Sequence, residues 1–301
     1  MKDFEKRYVT SDNMFRVSII REEYPENPRD STDEPVYFED YNREYSVMDR
    51  TERQNKYSNM AERVYNLFSK YADANKVVDL LIENGKHLTD GKKVCNNALE
   101  YNRTTKGWDV LEYTKFYSEK EYSWKVANSF DCKKAELPEY IYEIAESLTE
   151  SSLEYICGLD FMPNIKIATY KFGYYGGLNV WEGVDFSGDG LVWVDKKEFL
   201  KYTGMNEDQW KAEKVSENWL VQEVSAWADD EVFGFVTEKR VDYDITKKCT
   251  SEEKETETYS KTEWEETDSC WGFYGELDEK QTEWILGEAG YKMAELKEVN
   301  E

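Results

Sequence analysis

Apolar and polar residues near the two ends of the chain alternate as they do in β-strands. MFRVSII (14–20) is rich in β-branched residues and predicts a first strand. The three prolines of REEYPENPRDSTDEP predict a long loop after it, and VYFEDYNREYSV predicts a second strand that could return beside the first. Towards the other end, EVFGFV (231–236) and DSCWGFYG (268–275) share a Phe-Gly pattern. We expect these two segments to pair, with the hydrophilic tract between them projecting as a hairpin loop.

Apolar residues three and four positions apart predict helices in the middle of the chain. This spacing starts near residue 50 with Met60, Val64, Leu67, Phe68 and Tyr71, and ANKVVDLLIENG continues it to Gly85, a predicted left-handed helix stop. LPEYIYEIAESLTESSLEYICG predicts a further helix, with Pro138 in its first turn. Residues 86–134 lack a clear period but are dense in aromatic residues, which indicates a small mixed module or a surface that faces a partner.

The second half of the chain predicts strands that alternate with helices. NIKIATYKF and LVWV predict strands on either side of a Gly-rich loop, YYGGLNVWEGVDFSGDG. DKKEFLKYTG predicts a short helix, because Asp195 and Glu198 have capping-box spacing and Gly204 can end it. A long helix is expected over residues 207–228 and a terminal helix over residues 276–296.

Together these elements predict an α+β protein with a small mixed sheet built from both chain ends and a largely helical insertion. Residues 1–50 would supply the N-terminal strands of a terminal module, residues 51–160 the helical, aromatic-rich insertion, and residues 161–301 the remainder of the terminal module. The 301 residues, 40% of them apolar, suffice for one large core or two ordinary ones.

The charge of the chain is strongly negative. Its 64 acidic and 39 basic residues give a formal net charge of −25, which repels phosphate backbones and argues against ordinary nucleic-acid binding. A basic surface on another protein would be attracted instead, and an acidic protein can also imitate the charge of DNA. A plain solvated surface explains the same charge equally well.

The residues that usually build metal and redox sites are sparse. Five cysteines are scattered without a C-x-x-C pair, and the single histidine, His87, follows a helix in a Gly-flanked stretch. We therefore expect no cofactor, no metal cage and a reducing cytoplasm. The first residues lack a signal-peptide core and no apolar run approaches membrane-spanning length, so a cytosolic protein is predicted.

Two segments offer possible chemistry, and both have simpler explanations. DFSGDG (185–190) begins like a calcium loop, but the twelfth position is Lys196 and Glu198 comes two residues late, so an Asp- and Gly-rich turn is favoured. Asp185, Asp195 and Lys197 could form a metal-dependent nuclease site. Against this, Asp195 is already explained as a helix cap, and the negative chain hardly supplies a groove for DNA.

DSCWGFYG (268–275) favours a structural role over a catalytic one. Cys270 has neither a cysteine partner nor a nearby base in the sequence. Trp271 and Phe273 indicate a strand with a large aromatic residue on each face, and Gly272 and Gly275 would admit the backbone of a close neighbour.

The order of several segments resembles a family of proteins carried by phages, prophages and plasmids. MFRVSIIREEYPENPRD, LVWVDKKEFLKYTG, EVFGFV and DSCWGFYG carry the resemblance, which is strongest over residues 14–30 and 190–275. The chain departs from that family between about residues 50 and 164 and in its acidic extension. Size and acidity also resemble viral anti-defence proteins, in particular the Gabija anti-defence protein. This resemblance implies an oligomeric inhibitor that wraps a bacterial nuclease–helicase complex and blocks DNA binding or cleavage, without catalytic residues of its own.

The resulting prediction is a phage-encoded, non-enzymatic homo-oligomer that binds a bacterial defence protein complex in the host cytoplasm. It would contact neither nucleic acid directly nor a membrane. A general DNA-mimic antirestriction protein, the nuclease described above and a structural phage protein remain alternatives. The expected contact residues lie in the aromatic middle and the acidic tract: Trp108, Tyr113, Tyr117, Trp124, Glu252, Glu253, Glu255, Glu257, Glu263, Glu265 and Glu266.

Overall fold

A computed structural model describes residues 5–41, 47, 59–88, 92–173, 177–247 and 257–299. The expected α+β class is confirmed, with 34% helix, 35% strand and three antiparallel sheets. The strands are β1 (Lys6–Thr10), β2 (Phe15–Arg21), β3 (Tyr37–Asp40), β4 (Asn97–Asn102), β5 (Gly107–Thr114), β6 (Ser123–Phe130), β7 (Ile165–Phe172), β8 (Leu178–Glu182), β9 (Gly190–Asp195), β10 (Val232–Lys247), β11 (Glu257–Tyr274) and β12 (Leu296–Glu298). The α-helices are α1 (Met60–Tyr71), α2 (Ala74–Gly85), α3 (Ile141–Glu146), α4 (Glu150–Cys157), α5 (Lys196–Thr203), α6 (Glu207–Ala212), α7 (Trp219–Ala228) and α8 (Glu279–Glu288).

The chain divides into two compact units. Unit 1 combines residues 1–32 with residues 222–301, and unit 2 comprises residues 33–221. These limits differ from the predicted boundaries at residues 50 and 160. No helix within the described ranges is long and apolar enough to cross a membrane.

The sheet of unit 1 is built from both ends of the chain, as the sequence predicts. Its strand order is β11-β10-β2-β1-β12, and all of its pairings are antiparallel. Side chains from the strands and from α8 form one core: Tyr8, Val17, Ile19, Phe233, Phe235, Phe273, Ile285 and Leu286. The predicted terminal helix is wrong beyond Glu288, because the chain turns there and returns as β12, which pairs with β1.

A glycine and a tryptophan fix how β10 and β11 meet. Phe233 pairs with Phe273 and Phe235 with Cys270, so β11 carries one extra residue between these pairs. The bulge contains Gly272, whose φ of +85° suits glycine. Trp271 lies over Gly234, where an added Cβ would overlap its indole ring. The predicted aromatic residue on each face is therefore present, but Gly234 is the glycine that admits a close neighbour, whereas Gly272 and Gly275 serve positive φ angles.

The described residues of unit 2 form two sheets and a large core. β3-β9-β7-β8 form a four-stranded sheet and β4-β5-β6 a three-stranded one. α1, α2, α3 and α4 contribute buried side chains such as Phe68, Leu81, Ile144 and Leu153 to this core. Within the predicted insertion, the helices α1 to α4 are accompanied by three strands, β4, β5 and β6. These strands lie in the stretch for which the sequence indicated a small mixed module or a partner-facing surface. The expected return of β3 beside the first strand is wrong, since β3 pairs with β9.

Two buried asparagines connect the three-stranded sheet to the helices. The amide of Asn84 in α2 donates to the carbonyl groups of Cys95 (3.0 Å) and Asn97 (2.6 Å) and accepts from the Val94 amide (2.8 Å). Asn97 donates to the carbonyl group of Leu111 (3.2 Å) and accepts from the amide of Thr149 (2.8 Å). Backbone groups that the strands leave unpaired therefore find partners inside the core.

Several predicted helices are shorter than their periodicity suggests. Gly85 is the last residue of α2 but does not adopt a left-handed conformation. Glycine is instead required there because a Cβ would collide with the Leu99 carbonyl group. The segment after Pro138 divides into α3 and α4, with Thr149 as the second N-cap. The expected helix over residues 207–228 divides into α6 and α7, and β8 lies within the predicted Gly-rich loop.

Replacing Gly234 by alanine should destabilise unit 1 by about 1–3 kcal/mol, because the new methyl group overlaps Trp271. In a Trp271→Ala background the same change should cost less by about 1 kcal/mol. Urea unfolding of the two single variants and the double variant measures this coupling. Gly287→Ala in α8 is the control, since no atom other than the local helix backbone and the two chain neighbours lies within 4 Å of the place that its new methyl group would take. This substitution should not destabilise the protein. If the losses of unfolding free energy in the two single variants simply added in the double variant, the packing of Trp271 over Gly234 would be contradicted.

Candidate functional site

The hairpin of β10 and β11 extends beyond the sheet that holds its base. β2 pairs with β10 only as far as Lys239, opposite Phe15. The ladder between β10 and β11 continues without interruption from the Glu238–Glu266 pair to the Lys247–Glu257 pair. We call residues 238–247 and 257–266 the arm. The predicted pairing of EVFGFV with DSCWGFYG is confirmed, and much of the predicted projecting loop is strand.

One face of the arm combines an apolar row with acidic residues. Val241, Tyr243 and Ile245 follow one another along β10 on this face, and each is partly exposed. Glu263 lies opposite Val241, and Glu265 lies opposite Lys239. Glu263 pairs with Lys261, and the Tyr243 hydroxyl donates to Glu265. This face therefore offers apolar contact and negative charge side by side.

The other face of the arm is fixed by polar contacts. Near the base, Arg16 of β2 forms an ion pair with Glu238 and lies 4.6 Å from the ring centroid of Trp264. Further out, Thr262 donates to Asp242 across the strands at 2.6 Å. Ser260 makes the equivalent bond to Asp244 at 2.8 Å. These pairs hold the two strands together where no third strand supports them.

The predicted acidic contact residues separate into four groups. Glu263 and Glu265 are exposed on the face with the apolar row, whereas Glu266 is exposed on the other face and accepts from Ser269 at 3.0 Å. Glu257 begins β11. Glu252, Glu253 and Glu255 lie outside the described residues.

Of the predicted aromatic contact residues, Trp108 and Tyr113 lie on β5 and Trp124 on β6, whereas Tyr117 lies in the loop between these two strands. Tyr113 lies 5.2 Å from Trp124 and 5.7 Å from Tyr122, measured between ring centroids. The Trp124 indole donates to the Leu88 carbonyl group at 3.0 Å. Tyr117 is fully exposed. Trp108 instead packs against the core of unit 2, so it supports the sheet rather than a contact surface.

We call Tyr113, Phe116, Tyr117, Tyr122 and Trp124 the aromatic patch. Sequence reasoning missed two lysines and one strand residue beside it. Lys93 lies 3.5 Å from the ring centroid of Tyr113, and partial burial lowers its pKa. Lys125 lies 3.2 Å from the ring centroid of Phe116. Val126 on the outer strand β6 is 57% exposed. Apolar and polar residues alternate in SWKVANSF as they do in a strand. This alternation was the sequence signal that could have identified Val126 as a strand residue.

The candidate nuclease residues do not meet. The Asp185 amide donates to the Thr169 hydroxyl, whereas Asp195 pairs with Ile165, four residues earlier in β7. This separation corresponds to about 13 Å along a strand. Hydrogen bonds from the Ser187 side chain and from the Ser187 amide, within the same turn, lower the pKa of Asp185. Among the described residues, no three His, Cys, Asp or Glu side chains form a possible metal-ligand group.

Asp195 performs the structural role that the sequence predicts. Its carboxylate accepts from the Glu198 amide (3.1 Å) at the start of α5 and from the Tyr71 hydroxyl (2.7 Å) of α1. Burial alone would raise the pKa of Asp195, but these hydrogen bonds outweigh burial and lower it. Beside it, Tyr37 donates to Glu198, which raises the pKa of Tyr37 to about 12.

The cysteines and the histidine show no catalytic arrangement within the described ranges. Cys95, Cys132, Cys157 and Cys270 are free thiols, and Cys249 lies outside those ranges. Burial raises the pKa of Cys157 to about 12, which makes it a poor nucleophile. His87 lies in the turn after α2, 3.6 Å from Glu83.

A cavity of about 650 Å³ in unit 2 is lined by three lysines, and each has a partner in the protein. Lys166 donates to the carbonyl groups of Lys211 and Glu213, and burial lowers its pKa. Lys196 pairs with Glu207 at 2.7 Å, and Lys211 lies 3.6 Å from Asp208. The cavity thus gives no reason to assign an anionic ligand.

Comparison with known proteins identifies no relative: no family model, curated protein or solved structure matches the chain. The candidate site therefore rests on the geometry of the arm and of the aromatic patch.

Asp195→Ala should destabilise unit 2 by about 0.5–2 kcal/mol at pH 7, because α5 loses its N-cap. The lowered pKa means that the charged form stabilises the fold above the ordinary pKa of about 4, and that this stabilisation is lost as the pH falls through the folded-state value. The difference in the free energy of unfolding between the variant and the parent protein should therefore be smaller in acid than at pH 7. Urea unfolding at pH 7 and in acid measures this difference. An equal difference at the two pH values would contradict a stabilising contribution from the charged form of Asp195.

Proposed function

We propose that this protein is a phage-encoded anti-defence protein that inhibits a bacterial DNA-targeting immune complex by stoichiometric contact in the host cytoplasm. The partner is a Gabija-type nuclease–helicase, and binding blocks its access to DNA or its cleavage of DNA. The observation that carries the proposal is the arm, a ribbon of two strands that presents acidic side chains beyond the sheet that supports it. The protein acts as a homo-oligomer and not as an enzyme.

The charge of the arm supports a basic partner surface. Exposed carboxylates at Glu263, Glu265 and Glu266 can steer the protein to a surface that normally holds DNA, because such surfaces carry lysine and arginine. Steering of this kind raises the association rate and weakens as salt screens the charges. The arm thus supplies the electrostatic part of the contact.

The aromatic patch of unit 2 supports a second part of the contact. Interface energy concentrates in aromatic anchors that leave water on binding, and Phe116, Tyr117 and Tyr122 are 61%, 107% and 60% exposed. Lysine side chains lie beside rings of this patch, so the patch is less acidic than the arm. It would therefore slow dissociation more than it speeds association.

Replacing Glu263, Glu265 and Glu266 by glutamine should slow association with the purified defence complex about three- to tenfold at low salt. Glutamine retains the side-chain size and an acceptor oxygen, and the Lys261–Glu263 ion pair that it removes is solvent-exposed, so the stability of the fold should change little. Surface plasmon resonance at low and at high salt measures the rate, and the effect should largely vanish at high salt.

The matched control replaces Glu283, Glu288 and Glu295 by glutamine. These three acidic residues are exposed in unit 1 outside the arm, so the control removes the same charge. Equal slowing by both variants would attribute steering to net charge and remove the arm from the proposal.

A general DNA mimic is distinguished by its partners. It would compete with DNA for unrelated DNA-binding proteins, whereas a dedicated inhibitor co-purifies with one defence complex at fixed stoichiometry.

Tyr117→Ala should increase the dissociation rate of that complex without changing the free energy of unfolding, because the side chain is fully exposed. Tyr24→Phe is the control, since Tyr24 is 85% exposed in the other unit and the substitution retains its ring. Dissociation and urea unfolding are measured on the same samples. An unchanged dissociation rate would exclude Tyr117 from the contact.

A further inference from the structure

β11 forms one edge of the sheet in unit 1 and is unusually long for an edge strand. It has 18 residues, whereas β12 at the opposite edge has three. β10 is the only strand that pairs with it within the described ranges. Natural sheets commonly keep edge strands short or cover them, because an open edge can bind another strand. The length of β11 therefore needs a reason.

The open edge of β11 offers regularly spaced backbone groups. In an antiparallel pair, the N–H and C=O groups of alternate residues face the partner strand and those of the remaining residues face away. The ten pairs of the arm contain no bulge, so about five residues of β11 present outward groups at a regular spacing. An extended peptide that joins a sheet uses such groups.

The charge of the arm is concentrated on this outer strand. Between residues 257 and 266, β11 carries four glutamates and one lysine, whereas residues 238–247 of β10 carry three acidic and three basic residues. Two copies of β11 placed edge to edge would bring like charges together, which is unfavourable. A strand with lysine or arginine at alternate positions would instead place cations beside Glu263 and Glu265 on one face.

We propose that the open edge of β11 binds an extended, lysine- or arginine-rich segment of a protein partner by strand addition. Backbone hydrogen bonds supply the pairing, and the glutamates select a basic strand over a second copy of β11. This inference rests on the proposed function for the biological partner, but the pairing itself can be tested without that partner.

The test uses the full chain and two synthetic peptides with the same lysine–threonine alternation and the same charge. Both have roughly the length of the arm ladder. One is unmodified, and the other is N-methylated through its central residues, which removes backbone donors and keeps the charge. Fluorescence anisotropy should show binding of the unmodified peptide that is at least about tenfold tighter. Hydrogen exchange should slow within residues 257–266 only when that peptide is present.

Equal affinity of the two peptides, or protection confined to other residues, would overturn the proposal. Replacing Glu263, Glu265 and Glu266 by glutamine should weaken binding of the unmodified peptide, whereas replacing Glu283, Glu288 and Glu295 should not. Failure of strand addition and failure of the proposed function have different results. If the defence complex binds but N-methylation has no effect, only the inference fails. If the peptide pairs with β11 but no defence complex binds, only the proposed function fails.

Discussion

The contact between Trp271 and Gly234 determines how the long hairpin joins its sheet. The indole ring occupies the space that any other side chain at position 234 would need, and the adjacent bulge gives β11 its extra residue. As a result, Phe233, Phe235 and Phe273 all reach the core, while Trp271 covers the opposite face. A large aromatic residue that covers a glycine on a neighbouring strand also shields its backbone from water. The base of the arm is therefore held by packing, and its outer part can remain polar.

The two halves of the same hairpin follow different rules. Near the core, the strands hold together through buried aromatic residues. Further out, cross-strand bonds such as those of Asp242 and Asp244 replace them. An isolated hairpin is marginally stable in water, so the outer half depends on the inner half for its alignment. This arrangement lets an acidic surface stand away from the body of unit 1 without a core of its own.

Local patterns in the sequence predicted local structure well. Asp195 caps α5, Gly204 ends it with a left-handed residue, and the two Phe-Gly segments pair. The predicted helix ends were wrong where contacts between residues distant in sequence determine where a helix stops. The period of residues 207–228 suits one helix, but the short 3-10 turn at Val215–Glu217 and Asn218, which accepts from the Leu220 amide, divide it. α8 ends because its continuation pairs with β1. A helical period does not reveal such endings.

The candidate site was predictable in its composition and not in its arrangement. Acidic residues and aromatic residues are visible along the chain, but which face each one occupies depends on the register of the paired strands. Glu265 and Glu266 are adjacent in sequence and lie on opposite faces of the arm. Trp108 and Tyr113 lie on the same strand, yet one supports the core and the other joins the exposed patch. Strand alternation separates such neighbours once the register is known.

The path of the chain through unit 1 has a consequence for its synthesis. Ile19 in β2 pairs with Phe235 in β10, which the ribosome adds 216 residues later. Unit 2 is continuous in sequence, so all of its strands and helices emerge before β10 does. Apolar side chains of the early strands, such as Val17 and Ile19 in β2, therefore stay unburied until β10 is synthesised, while the intervening unit folds. Translation thus sets an order of assembly in which the sheet that carries the arm is completed last.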